Sequence, residues 1–263
     1  MNTQLTASVA VLILGLALVA TEVVAEDETV IKVSAGIEQT SGDYGGTETI
    51  EDLYTVMRAD FDFGKIGFRL TVPYLSVTAP EGTIISDPDS EPVPGSGANL
   101  TESGIGDMVA SLTVFDVFRS PDTGIAFDIT GKVKFGTADR DKGLGTGEND
   151  YSVQGDLYKF LDRYVLVGTA GYKLRGDPTD IDLENVFFGS AGAICRCARR
   201  TRIGLFYDFR QSALVGGESI REISGVLSQR LSKSLQLQVY AFTGLTDSSP
   251  DWGGGVALTM EIG

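Results

Sequence analysis

The chain has 263 residues, 42% of them hydrophobic, with 33 Gly, 8 Pro, 2 Cys and no His. A formal net charge of -15 disfavours nucleic acid as a partner, because a chain of that sign repels phosphates. Without histidine the commonest general base and the commonest neutral metal ligand are gone, which counts against Ser-His hydrolases and histidine-built metal sites.

The first residues carry the pattern of an export signal. Val9 to Ala20 form a compact apolar run, and Val23-Val24-Ala25 supplies small residues ahead of acidic Glu26-Asp27. That run is shorter than the ~20 residues a spanning helix requires. Met1 to Thr6 contains no Lys or Arg, so the amino terminus alone supplies positive charge there. The expectation is a cleaved signal peptide over residues 1–25 and one barrel domain over 26–263, since no shift of composition interrupts the rest.

From about Thr29 onward, apolar and polar residues alternate in stretches of roughly ten, the ~9–11 residues a tilted strand needs to cross a bilayer. Side chains on a strand point alternately to opposite faces, so each stretch has one oily and one wet face. The pattern predicts strands at Val30–Glu38, Ile50–Phe61, Ile66–Val77, Ile105–Phe115, Ile125–Gly136 and Tyr151–Phe160. The second half gives Tyr164–Arg175, Leu183–Cys195, Thr201–Arg210, Ser219–Arg230, Leu235–Thr246 and Trp252–Ile262. The fold class is therefore all-β, an up-and-down antiparallel transmembrane β-barrel of about 12 strands preceded by a cleaved signal peptide.

The connections support this reading. Long joins (Gln39–Thr49, Thr78–Gly104, Thr137–Asp150, Gly176–Asp182, Gln211–Glu218) alternate with tight ones such as Gly64-Lys65 and Leu161-Asp162-Arg163. Short turns on one side and long loops on the other are the asymmetry of outer-membrane barrels, with the short side periplasmic. Prolines fall in the predicted loops, where no ladder donor is required, with Pro73 in the third strand as the exception. Aromatics gather near strand ends: Phe63, Phe115, Phe118, Tyr158, Phe160 and Tyr164 at the short-turn side, and Tyr74, Phe135, Tyr151, Tyr172, Phe209 and Trp252 at the other. These are expected to form interfacial girdles. Cys195 and Cys197 are expected to be free or oxidised thiols in a turn, because a bridge between residues so close would strain the backbone.

If the apolar faces meet lipid, the opposite faces line the lumen. They carry Lys32, Asp52, Arg58, Arg69, Asp107, Asp128, Lys132, Lys134, Asp156, Lys173, Arg175, Arg202, Asp208, Arg210, Glu222, Arg230, Gln236 and Gln238. A barrel of ~12 strands is wider than one that side chains just fill, so the interior is expected to be a narrow, partly blocked, wet passage. Lys132, Lys134, Lys173, Arg175 and Arg210 are expected to form a basic constriction near the outer mouth, beneath acidic loops. Those acidic loops read as a solvated surface more readily than as a divalent-cation site. Asp139-Arg-Asp141-Lys-Gly143 lacks the spacing of a calcium loop. No metal site and no cofactor are expected.

One stretch carries a family resemblance. Gly104-Ile-Gly-Asp107 precedes Gly131-Lys-Val-Lys-Phe-Gly-Thr137, then Gly143-Leu-Gly-Thr-Gly147 and Asp150. This succession resembles the outer-membrane barrels of the phenol-degradation (MetA-pathway) transporter family. Phe135 stands where a Pro would be common in that family. The resemblance implies a porin-like barrel associated with uptake of aromatic or other small organic compounds, and no catalytic residues. The leading expectation is thus a passive outer-membrane channel for small solutes, gated by Thr78–Gly104, with membrane lipid, lipopolysaccharide and solute as partners. The alternative is a structural or adhesive barrel with a closed lumen. An enzyme is the least favoured class.

Overall fold

The computed structural model describes residues 29–85, 90–176 and 178–262. The expected signal peptide lies outside them. Antiparallel strands account for nearly all of the described fold: β1 (Val30–Gly42), β2 (Ile50–Phe63), β3 (Ile66–Pro80), β4 (Asn99–Ile105), β5 (Met108–Ser120), β6 (Ile125–Phe135), β7 (Asp150–Phe160), β8 (Tyr164–Leu174), β9 (Val186–Ala198), β10 (Thr201–Arg210), β11 (Ile220–Arg230), β12 (Leu235–Gly244) and β13 (Trp252–Ile262). Strands β4 and β5 both pair with β3 and form one stave, so the 13 strands make a twelve-stave wall. Strand β1 pairs with β2 on one side and with β13 on the other, from Ile31↔Ile262 to Ser41↔Trp252. That pairing closes the sheet and removes both edges.

The joint between β4 and β5 explains Pro73. Pro73 stands mid-strand, pairs with Val56 of β2, and is fully buried. On its other side the β3 ladder passes from Tyr74↔Ile105 to Thr71↔Val109, skipping Gly106-Asp107-Met108. The proline's missing N–H therefore falls where the neighbouring stave is interrupted, and its carbonyl accepts from Gly106 N at 3.1 Å. The segment expected as one long loop over 78–104 is shorter as a loop, because β3 runs on to Pro80 and β4 begins at Asn99.

The outer face is apolar. Leu53 (40% exposed) and Met57 (66%) alternate with buried Tyr54 and Val56 on β2, and Leu205 (62%) stands between Gly204 and buried Phe206 on β10. Bared apolar surface on nearly every strand exceeds what a soluble chain leaves uncovered, and it is the surface that acyl chains cover. Phe63, Phe118 and Tyr164 are exposed at the short-turn end, and Tyr74, Phe135, Tyr151 and Trp252 at the long-loop end. Three of the expected girdle aromatics differ. Phe115 is buried against the inner position of Gly67, and Tyr158 and Phe160 belong to an internal cluster. A bulge reverses Phe115: Phe115, Asp116 and Val117 together oppose Asp128, and Asp116 takes φ +49°.

The cysteines also depart from expectation. Strand β9 continues to Ala198, so both lie in a strand rather than a turn, and they are joined by a disulfide with Cα atoms 5.2 Å apart. Side chains two residues apart project to the same face of a strand, which brings the sulfurs together. The bridge sits on a bulge: Arg196 and Cys197 together oppose Arg202 of β10.

The lipid-facing reading gives a direct test. Leu205→Arg is expected to lower stability by about 2–4 kcal/mol in denaturant unfolding from lipid vesicles. A loss under about 0.5 kcal/mol, the range of an ordinary surface substitution, would contradict it.

Candidate functional site

Strand β10 shows the internal layout on its own. Its inward positions run Arg202, Gly204, Phe206, Asp208 and Arg210 from the short-turn end to the mouth. On this side of the barrel the order is arginine at the short-turn rim, then apolar packing, then charge, with a strap across the mouth, whereas on the β1–β5 side the ion pairs Lys32–Asp62, Arg69–Asp60 and Arg119–Asp116 lie toward the short turns.

The strap is formed by residues 81–85 and 90–98. An Ile84–Val93 bridge folds it back on itself. Ile85 N donates to Gly143 O at 2.8 Å. Gly143 has φ +69°, and a Cβ there would stand 2.1 Å from Thr83 O, so backbone approach and turn both require glycine. The Glu91 carboxylate accepts from Ala213 N at 3.0 Å, Leu214 N at 3.3 Å and the Ser212 hydroxyl, and Glu91 is only 4% exposed. Strand β3 is the third stave and β10 the ninth, so Glu91 reaches across the mouth from one wall to the opposite one. The Arg175 guanidinium donates to Ser90 Oγ beside it. Beneath the strap, Ile50, Tyr54, Val56, Leu75, Val77 and Ala79 pack with Ala138 and Leu144 of the β6–β7 loop. Burial and the Asp52 carboxylate push the Tyr44 hydroxyl well above its ordinary range.

Next comes a cavity of about 80 Å³ lined by Lys132, Lys134, Lys173 and Arg210, with Asp150, Asp208 and Ser90. Lys134 Nζ lies 2.8 Å from Asp107 Oδ2 and 3.2 Å from Asp150 Oδ2. Asp107 Oδ1 also accepts from Ala138 N at 2.9 Å, which ties the β6–β7 loop to the wall. Arg210 Nη2 donates to Glu222 Oε2 at 2.6 Å, and Ser224 Oγ to Asp208 Oδ2 at 3.3 Å. Lower on the wall, Asp156 accepts from Thr169 Oγ1 at 2.6 Å and from Gln154 Nε2 at 2.9 and 3.1 Å. Asp128 is buried and accepts from Asp116 N at 2.7 Å. Arg58 sits among Arg69, Tyr54, Asp60 and Tyr240, and Arg69 pairs with Asp60.

On the β6–β11 side the lower interior is apolar. Tyr158, Val165, Val167, Ile194, Phe206, Val226 and Ala126 form a buried cluster, with Phe160 and Tyr240 packed on it. Tyr240 OH reaches past β13 to donate to Glu38 Oε2 at 2.6 Å. It passes over Gly255, where a Cβ would stand 2.5 Å from the hydroxyl. At the rim, Arg202 and Gln236 line a second cavity, and Gln238 lies two residues further along the inward face of β12.

The structure thus gathers Lys132, Lys134, Lys173, Asp208 and Arg210 around one cavity, with Arg175 at its edge through Ser90. It sets Arg58, Arg69 and Asp128 elsewhere on the inward wall, and Arg202 and Gln236 at the far end. The inward faces are not polar throughout: on the β6–β11 side the inner aromatics stand between the charged cavity and the rim. Three features escape strand periodicity: the Glu91–Ser212 contact, which links two loops; the inner apolar cluster; and Arg163, Arg196, Arg199 and Arg200, the last three of which had a visible signal in the run Cys-Arg-Cys-Ala-Arg-Arg-Thr-Arg. The Asp139–Gly143 segment is a 3-10 turn over Arg140–Lys142, capped by Asp139 accepting from Asp141 N.

A closed sheet that is apolar outside and charged inside defines a β-barrel of the outer-membrane class. The chain belongs to the family described as "Putative MetA-pathway of phenol degradation", which it matches over residues 36–262. Its fold is similar to that of the COG4313 outer membrane channel from Pseudomonas putida F1, with a TM-score of 0.70 at 11% identity over 91% of this chain and 97% of that one. It is also similar to the KdgM porin solved with disordered oligogalacturonate (TM-score 0.52, 8% identity, 89% of this chain and 99% of that one). A third is the transport unit of the autotransporter AIDA-I from Escherichia coli (TM-score 0.50, 9% identity, 89% and 90%). At such identities the likeness is one of fold. No curated protein matches the sequence.

The buried triad Asp107–Lys134–Asp150 should act as one unit. Lys134→Met leaves two buried carboxylates without their shared cation, and a loss of about 3–5 kcal/mol is expected in unfolding from vesicles. Adding Asp107→Asn and Asp150→Asn should recover part of it. Equal stability of wild type and the single variant would show that the lysine does not hold the wall.

Proposed function

We propose that the protein is a passive channel of the bacterial outer membrane for small organic solutes, with hydrophobic or aromatic compounds as the class it admits. In this reading residues 1–25 direct export and are removed, and residues 26–263 form the barrel, seated in lipid with lipopolysaccharide around its long-loop end. The observation that carries the proposal is the layering of the interior. A charged cavity bounded by Lys132, Lys134, Lys173 and Arg210 lies directly above an apolar, aromatic-walled zone centred on Tyr158 and Phe206. A small solute with a polar end and an apolar body finds partners for both parts along that path. Family membership agrees with the organic-solute class.

The strap supplies the gate. Glu91 holds the strap to the opposite wall by three hydrogen bonds from one loop. The same contact supports a second reading, a structural barrel whose lumen stays shut. Planar-bilayer recording of the purified protein separates the two. The channel reading expects small, interrupted conductance from wild type and a larger, steadier one from Glu91→Ala, which loses the latch. It also expects that Lys132→Gln with Lys173→Gln moves the reversal potential toward cation preference. Silence from both wild type and Glu91→Ala would favour the closed barrel.

A further inference from the structure

Six arginines meet at the periplasmic rim. Arg163, Arg196, Arg199, Arg200, Arg202 and Arg230 line one cavity of about 480 Å³, with Ser228, Gln236, Ala198 and Cys197. They are six of only 21 basic residues in a chain of net charge -15, and no acidic side chain is among the described residues that line the cavity. Six guanidinium-bearing side chains around one space offer an anion a dense set of charged hydrogen-bond donors.

The cluster is held in place by backbone. Arg196 N donates to Arg163 O, and Arg230 N to Arg200 O, each at 2.8 Å. These bonds link the β7–β8 turn to β9, and the β9–β10 turn to β11. The bulge at Arg196-Cys197 sets two residues of β9 against Arg202 alone, and the Cys195–Cys197 disulfide lies across that bulge on the same strand. A bulge re-aims the side chains around it, and here Arg196 and Arg202 face the same cavity.

We propose that this rim cavity is a binding site for a multivalent phosphoryl anion. Guanidinium groups match phosphate oxygens in paired hydrogen bonds, and several arginines converging on one space favour a ligand that carries more than one charge. The volume accepts a small phosphorylated or pyrophosphate-sized group. The site needs only the folded barrel, so it stands whether or not ions flow through the lumen.

The test is calorimetric titration of inorganic pyrophosphate into the full barrel in phosphatidylcholine nanodiscs, with acetate as the monovalent control. Saturable binding at one site is expected, with acetate at least about tenfold weaker. Arg196→Gln with Arg202→Gln and Arg230→Gln should weaken binding roughly a hundredfold, while the Lys replacements at those positions retain part of it. Arg199→Gln with Arg200→Gln changes only the exposed turn and should weaken binding with little risk to folding, which heat-modifiable gel mobility verifies for every variant. Repeating the titration in phosphatidylglycerol nanodiscs identifies the source. Unchanged affinity indicates a free anion, and a loss of tenfold or more indicates that lipid headgroups occupy the same site. Absence of saturable binding in phosphatidylcholine, or binding that the folded turn and triple variants leave intact, overturns the proposal.

Discussion

The rest of the structure depends on the pairing of β1 with β13. In hydrocarbon each unpaired backbone N–H or C=O costs several kcal/mol, so a sheet is viable there only when it has no edge. The eleven-residue register from Ile31↔Ile262 to Ser41↔Trp252 supplies that closure. It does so with a strand whose inner face is opened by Gly253 and Gly255, leaving room for the Phe242 and Tyr240 rings from β12. Closure fixes which side chains share an interior, and so it decides that Glu38 meets Tyr240 and that Glu91 finds Ser212 on the far wall.

Given a closed wall, the interior answers two demands that conflict. Charged groups need partners or water, and a barrel of this width also needs filling. The chain divides the task by height. On the β6–β11 side Lys134 with Asp107 and Asp150 occupies the upper half, aromatic packing around Tyr158 and Phe206 the lower half, and arginines the rim, while on the β1–β5 side the pairs Arg69–Asp60 and Arg119–Asp116 carry charge toward the short turns. The strap then crosses the top, tied to the opposite wall by the buried Glu91 carboxylate and to nearby loops by Ile85 N on Gly143 O and Arg175 on Ser90.

The strand order, the long and short joins and the lipid face were legible because a period of two is local and repeats on every stave. The basic set Lys132, Lys134, Lys173 and Arg210 was legible for the same reason, since each occupies a wet position near a long loop. Three things were not. Alternation assigns a face but not what that face meets, so Val165 and Val167, inward in an apolar run with Tyr164 and Leu166, gave no sign of an inner cluster. The bulges at Asp116 and at Arg196-Cys197 shift the phase of a strand, which moved Phe115 inward and carried the cysteines out of a turn. Loop-to-loop contacts such as Glu91 with Ala213 span more than a hundred residues and leave no periodic trace.

In the proposed channel the strap, held to the opposite wall at Glu91, governs passage. A reversible cross-link isolates that contact: cysteines placed at 91 and 213 in a Cys195→Ser, Cys197→Ser background, with single-channel current recorded before and after reduction. A gating strap blocks current while the bridge is intact and lets it return on reduction. Current that is indifferent to the state of the bridge would contradict it.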